Sequence, residues 1–441
     1  MSGFPVPKQA PPGLSSFLSG EPWKEWQKSG LVFDIPDLPS SIRYLRNKPE
    51  SCRLFISGTE PGTADSPPQG MNVRLFSTLS SAKEFHEKIV AKNLGASSAH
   101  LKPFVDEELM AVCLPFPGDE EIPQLRRIFE PNRFRRLIEP MLGAISYDQW
   151  RLQRSLTRHK LIAYKPGRRA VLQTKLKLRN LQEDLKIRKL LHLKIENRKS
   201  ITQSKNLALS ISNATEGCNH FKTPRFVGTS PAMNIFGHEW IDGKHPDFGA
   251  ERSTELIENT AKAINEFHQI PLELTTHSPP QVLVMEVDIL IEDLSRLLPE
   301  VRFNLLTLAN RLKKKLPTLS LHSSVLAHGD LHQKQILSDD KDLYLLDFDR
   351  AGRGYACFDL ANLMEDLISS GVSEAVVTHL LDSYQSVTPQ KISEGEINLG
   401  RSLACLRKAF EPFRSLSPTW PDELTSAVDR CLRLLEGLKD E

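Results

Sequence analysis

Short β-rich apolar runs early in the chain, RLFIS at 53–57, VRLFS at 73–77 and LMAVCLPF at 109–116, predict strands there. Helix-like spacing falls around 80–93 and 122–142, so residues 26–150 read as a small α+β extension in which no chemistry is legible. GTEPGTADSPPQG at 58–70 is a loop by its glycines and prolines. The first 25 residues hold Pro5, Pro7, Pro11 and Pro12 among serines and glycines and read as a flexible tail. HKLIAY at 159–164 and AVLQTKLKL at 170–178 form a predicted β-hairpin around Lys165-Pro166-Gly167-Arg168-Arg169, where Pro-Gly supplies a fixed and then a positive φ. LLHLKI at 190–195 is a third strand; a helix over about 200–217 and a strand near 233–241 follow. Beyond 250 the pattern is helical, with Leu256, Ile257, Ile264 and Phe267 on one face, interrupted by a loop-and-strand insert at 326–349. The plan is α+β and bilobal: a β-rich lobe over 151–245 and a mostly helical lobe over 246–441.

At 441 residues the chain is too long for one ordinary core, and 39% apolar with 25% charged residues excludes collagen-like, wholly disordered and coiled-coil classes. No apolar run approaches the ~18 residues of a membrane span, and the beginning lacks the basic and apolar regions of a signal peptide, so a cytoplasmic protein without a membrane partner is expected. Six scattered cysteines without a C-x-x-C pair read as buried thiols. The formal charge of +2 is a cancellation, because residues 151–200 alone hold 16 basic and 3 acidic residues. An anionic partner is therefore not excluded by near-neutrality.

The chemistry sits in the insert, LAHGDLHQKQIL at 326–337 followed by LYLLDFDR at 343–350. Apolar flanks bury both ends of a loop, and a hairpin returns Asp347 toward Asp330 and Gln335. Three oxygen-bearing side chains then converge, where one can accept a proton from a hydroxyl and two can hold a hard cation. That is the minimum machinery of phosphoryl transfer.

The H-G-D-L-H-x-x-Q-I-L run, the later L-L-D-F-D-R-A and Asp359-Leu360-Ala361 resemble the aminoglycoside phosphotransferase and choline kinase-like family, whose enzymes have a protein-kinase-like fold. The resemblance covers about 155–441. It implies ATP and Mg²⁺ as cofactors, Asp330 as catalytic base, Gln335 and Asp347 as magnesium ligands, and His328 and Asp359 as supports of the catalytic loop. Gln335 stands where the family usually has Asn. In the β-rich lobe Lys194 fits the family's phosphate-binding lysine; its alternative is one more solvated lysine. The usual glutamate partner is missing from the following helix, so Glu216 or Glu196 compensates or the pair is absent. Gly167 and Arg168 are either a phosphate-facing turn or a plain hairpin turn, and Glu239 and Ile241 lie in a segment resembling the adenine-binding hinge. His332 reads as a supporting histidine.

The expected function is an ATP-dependent small-molecule kinase acting on a hydroxyl of an aminoglycoside-like, amino-alcohol or sugar-like acceptor. Residues 355–441 hold 14 acidic and 8 basic residues, compatible with a cationic acceptor. Two alternatives from other classes stand beside it. One is a pseudokinase-like nucleotide-binding module, raised by the missing glutamate and by Gln335. The other, less favoured, is a nucleic-acid-binding protein using the basic 151–200 segment, whose affinity would fall steeply with salt.

Overall fold

The computed structural model describes residues 4–441 except 60–67, 95–100, 130–133, 135–137, 139–140, 142–149, 154–156, 181, 184, 198–200, 231–233, 251–252, 273–278, 320–323, 340, 390 and 437–441. The chain divides into two compact units: residues 1–205, 226–240 and 413–418 in one, and 206–225, 241–412 and 419–441 in the other.

The first unit opens on α1 (Gly13–Leu18), α2 (Glu21–Lys28) and α3 (Leu38–Ser41). The expected flexible tail is replaced over residues 13–28 by packed helices. Leu14, Phe17, Leu18, Trp23 and Trp26 are buried, and the Trp26 indole donates to Asp106 at 2.8 Å. Five aromatic and aliphatic side chains outweigh the ordering entropy that the proline content suggested would prevail.

Two antiparallel sheets follow. β1 (Ile42–Lys48), β2 (Ser51–Ser57), β3 (Gly70–Phe76), β4 (Phe104–Asp106) and β5 (Ala111–Pro115) make the first, in the order β1-β2-β3-β5-β4. α4 (Leu79–Ala91), N-capped by the Thr78 hydroxyl, covers one face through Ala82 and Ile89. α5 (Leu125–Ile128) falls inside the expected helix at 122–142, much of which lies outside the described residues. The second sheet holds β6 (Trp150–Leu152), β7 (Arg158–Lys165), β8 (Arg169–Asn180), β9 (Lys186–Glu196), β10 (Phe226–Ser230) and β11 (Ile235–Glu239), in the order β10-β11-β9-β8-β6 with β7 also on β8. β8 and β9 run together over Arg169↔Glu196 to Arg179↔Lys186.

The expected boundary at 150 does not separate two bodies. Phe55 and Phe116 from the first sheet share one buried cluster with Leu161, Tyr164, Leu172, Leu191 and Leu193 from the second, and Phe55 meets Tyr164 edge-on at 4.8 Å. Aromatic side chains of the first sheet thus complete the core that the apolar residues of the second sheet begin.

The second unit is mostly helical: most of α6 (Ile201–Ala214), then α7 (Thr254–His268), α8 (Pro280–Leu297), α9 (Arg302–Lys315), α10 (Ala356–Ser369), α11 (Glu374–Val387), α12 (Glu394–Lys408), α13 (Glu411–Arg414) and α14 (Trp420–Glu436). α10 is buried along most of its length, and Gly400 of α12 lets that helix approach it closely, since a Cβ there would lie 2.9 Å from the Cys357 carbonyl oxygen. Between α9 and α10 run β12 (Ser324–Ala327), β13 (Ile336–Ser338), β14 (Leu343–Leu345) and β15 (Gly352–Tyr355). Among the described residues no helix is long and apolar enough to cross a membrane.

Candidate active site

Two short pairings bring the insert's polar residues together. β12 pairs with β15 so that Ala327 faces Gly352, and β13 pairs with β14 so that Ile336 faces Leu345. The hairpin continues one bond further, with the Leu346 amide donating to the Gln335 carbonyl at 2.9 Å. Gln335 and Asp347 therefore stand at the same end of one hairpin. Lys222 and Lys244 extend it by backbone bonds to Leu343, Leu345 and Ser338. Asp347 takes a left-handed backbone, φ 58° and ψ 60°, a conformation that Asp tolerates better than most residues and that clusters at functional sites.

The loop holding Asp330 is fixed from three sides. The buried Asp359 carboxylate accepts the His328 amide at 2.5 Å and the Gly329 amide at 2.8 Å, and the His268 ring donates to it from Nε2 at 3.1 Å. Burial alone would raise the Asp359 pKa, but His268, His328 and that amide hold it below the usual carboxylate value. Seven residues on, Asp366 accepts the Gln333 amide at 2.8 Å and pairs with Lys408 at 2.6 Å. His328 donates from Nε2 to the Leu346 carbonyl at 2.7 Å, tying the start of the loop to the residue before Asp347. Its Nδ1 is buried and has no hydrogen-bond partner among the described residues.

Gly329 has φ +78°, and a Cβ there would press into the Arg350 carbonyl. Only glycine fits at that crossing. Asp330 itself is partly exposed, with the Arg350 guanidinium 3.7 Å away.

His332 does more than support the loop backbone. Burial, the largest influence, lowers its pKa against the opposing pull of Asp330 and Asp366, so at neutral pH the ring is uncharged. Its Nε2 lies 3.2 Å from the Gln335 side-chain nitrogen and accepts from it. Gln335 is 8% exposed, and with its nitrogen committed, its carbonyl oxygen is the atom left to face a cation. An amide oxygen beside a carboxylate is an oxygen-only donor pair suited to a hard divalent ion that takes its remaining ligands from water and phosphate. Among the described residues there is no cluster of three or more His, Cys, Asp or Glu that could hold a metal without such help.

In the first unit, Lys194 on β9 is buried, 6% exposed, and pairs with Glu196 at 3.3 Å. The partner comes from the same strand two residues on, and Glu216 is exposed. Trp240 closes β11 by donating its amide to Leu190 at 3.0 Å, and Glu239 meets Lys189 at 3.5 Å. The chain passes into the second unit at Ile241. The Pro166-Gly167 turn differs from the phosphate-facing alternative. The Gly167 amide donates to Asp119 at 2.7 Å, and that carboxylate also accepts the Tyr164 hydroxyl at 2.6 Å and the amides of Glu121 and Ile122. A phosphate at this amide would have to displace a buried, four-bonded carboxylate. Arg168 is exposed, and its amide closes the turn on Lys165.

The match to the phosphotransferase enzyme family, known as APH, spans residues 231–394 and so takes in the whole of this loop, hairpin and the α10 anchors. No curated protein matches the chain. Among solved structures, choline kinase from Cryptosporidium parvum is similar at 12% identity and TM-score 0.46, over 68% of this chain and 94% of that one. An ethanolamine kinase from Plasmodium vivax gives 12% and 0.47 over 80% and 94%. A spectinomycin phosphotransferase in complex with ADP and spectinomycin gives 11% and 0.42 over 63% and 93%. The matched segment lies in an α+β chain of two compact units, one built on antiparallel sheets and the other mostly helical and carrying the insert.

Proposed function

We propose that the protein is an ATP-dependent small-molecule kinase that transfers the γ-phosphate to a hydroxyl of an aminoglycoside-like, amino-alcohol or sugar-like acceptor. What carries the reading is the assembly of Asp330, Gln335 and Asp347 on one loop and hairpin held by Asp359. Asp330, the partly exposed carboxylate of the loop, accepts the proton of the acceptor hydroxyl as it attacks. Asp347 and the Gln335 carbonyl oxygen would hold Mg²⁺, which supplies charge neutralisation to the phosphates when bound. Lys194, kept in place by Glu196, meets phosphate oxygens; Glu239 and Ile241 carry the backbone that recognises adenine. Arg350, beside Asp330, adds positive charge where the transferring group is negative. His328 and Asp359 act through the loop, by position.

The test is ADP release from Mg-ATP with pooled hydroxyl metabolites and aminoglycosides, run beside Asp330→Asn. Acceptor-dependent release falling by a factor of about 10³ or more in the variant supports the kinase. Nucleotide binding without turnover on any acceptor supports a nucleotide-binding module instead, the reading favoured by Gln at a position where the family usually has Asn.

A further inference from the structure

The register of the first sheet places three arginines in one row. Arg46 faces Arg53 across β1 and β2, and Arg53 faces Arg74 across β2 and β3. Residues directly opposite in antiparallel strands point to the same side, and like charges so placed repel. Lys48, two residues from Arg46, adds a fourth cation on that face. Burial and the neighbouring arginines lower both Lys48 and Arg74, Arg74 to about 10.

Compensation is incomplete. Among the described residues Glu121 alone pairs with the row, through Arg53 at 2.5 Å. Arg74 has a 3.3 Å bond from Nε to the Ser51 hydroxyl and rests over the rings of Phe76 and Phe85 at 4.8 and 4.6 Å; among the described residues no carboxylate forms an ion pair with it, and Glu121 and Glu120 act on it only through space. Two buried donors on this face, Arg53 Nε and the Tyr44 hydroxyl, have no acceptor among the described residues. A pocket opens here, walled by Arg53, Arg74 and Phe85 and edged by the Pro166-Gly167 turn and by Asp119, Glu120 and Glu121, of which Asp119 is taken up by Tyr164 and three backbone amides and Glu120 by Lys92.

We infer that this pocket binds a compact phosphate-bearing small molecule, at a site separate from the kinase chemistry. A tetrahedral group with several acceptor oxygens answers what the face lacks. It gives acceptors to the guanidinium forks of Arg53 and Arg74, and it neutralises the row. Glu121 is the intramolecular stand-in that such an anion displaces from Arg53. The concave shape and ring walls suit a small ligand better than an extended polyanion.

The test is calorimetric titration of the full-length protein with pyrophosphate in EDTA, beside a mixed-sequence oligonucleotide. Saturable one-to-one pyrophosphate binding is expected, weakened roughly tenfold by Arg74→Gln. The exposed Lys48→Gln weakens it less but in the same direction, which keeps the test valid if Arg74→Gln fails to fold. Glu121→Gln tightens binding several-fold by removing the competing carboxylate, an effect that a merely structural role for the pair does not produce. Lys194→Met binds as the wild type does. The inference is overturned if the wild type shows no saturable binding, if Arg74→Gln and Lys48→Gln leave affinity unchanged, or if Lys194→Met abolishes it. An oligonucleotide that binds in preference to pyrophosphate, with steep salt dependence, also overturns it.

Discussion

Asp359 and Asp366 stand seven residues apart on α10, two turns along one face, and hold opposite ends of the same loop: Asp359 takes the amides of His328 and Gly329, Asp366 that of Gln333. Asp330 lies between the two anchors. The helix works as a ruler, and its rigidity passes to the loop through charge-assisted bonds. Asp359→Asn is expected to cost about 2–3 kcal/mol in unfolding free energy, since the buried site loses charged bonds to two amides and to His268. Asp366→Asn, with its more accessible partner Lys408, costs less. Chemical denaturation read beside turnover checks both, and turnover falling further than stability in either variant marks loss of loop position.

His159 gives the stability a pH dependence. Burial lowers its pKa from 6.5 to about 4, with the ring 4.3 Å from that of Phe134 and Nδ1 3.0 Å from the Thr174 hydroxyl. The folded state favours the neutral ring, so its contribution is complete above about pH 6.5 and is lost as pH falls toward 4. The loss amounts to about 3 kcal/mol across that window. In urea unfolding, the advantage of the wild type over His159→Gln is therefore largest at neutral pH and shrinks as pH falls. An advantage that stays constant between pH 7 and pH 4.5 would contradict the assignment.

Two glycines separate backbone strain from steric clash. Gly329 and Gly371 both have positive φ, +78° and +87°, but a Cβ at Gly371 meets nothing within 4 Å while one at Gly329 meets Arg350. Gly371→Ala should cost only the left-handed penalty, ~1–2 kcal/mol. Gly329→Ala should cost more and should also impair turnover, because Arg350 can yield only by shifting the segment that follows Asp347. Equal losses of stability in the two variants would show that the loop gives way without resistance.

The alternation of HKLIAY, AVLQTKLKL and LLHLKI, and the Pro-Gly between the first two, made β7, β8 and β9 legible before any coordinates. The H-G-D-L-H run was legible likewise, because its spacing is local, and it lies within the residues that match the phosphotransferase family. What escaped was nonlocal or was masked by composition. Nothing in the sequence ties His268 to Asp359, 91 residues away, or the Gly167 amide to Asp119, 48 residues earlier. Asp366 had a usable signal, its seven-residue spacing from Asp359 on one helix face. Prolines near the beginning hid Leu14, Phe17, Trp23 and Trp26, which were enough to fold residues 13–28 onto the first unit.

His332 and Gln335 make a prediction that depends on the orientation of one amide. Because His332 Nε2 accepts from the Gln335 nitrogen at 3.2 Å, the carbonyl oxygen is presented in a fixed direction instead of being averaged with the nitrogen. His332→Phe keeps a ring in the half-buried site but removes the acceptor. It should raise the magnesium concentration needed for half-maximal turnover about tenfold, the scale typical of losing an outer partner of a metal ligand. Turnover at saturating magnesium should change much less, because the metal-bound arrangement is recovered once the ion is supplied in excess. Gln335→Ala should raise the requirement further, and the double variant should be no worse than Gln335→Ala alone, since His332 acts through that one side chain. Additive losses in the double variant would mean that His332 contributes by a different route.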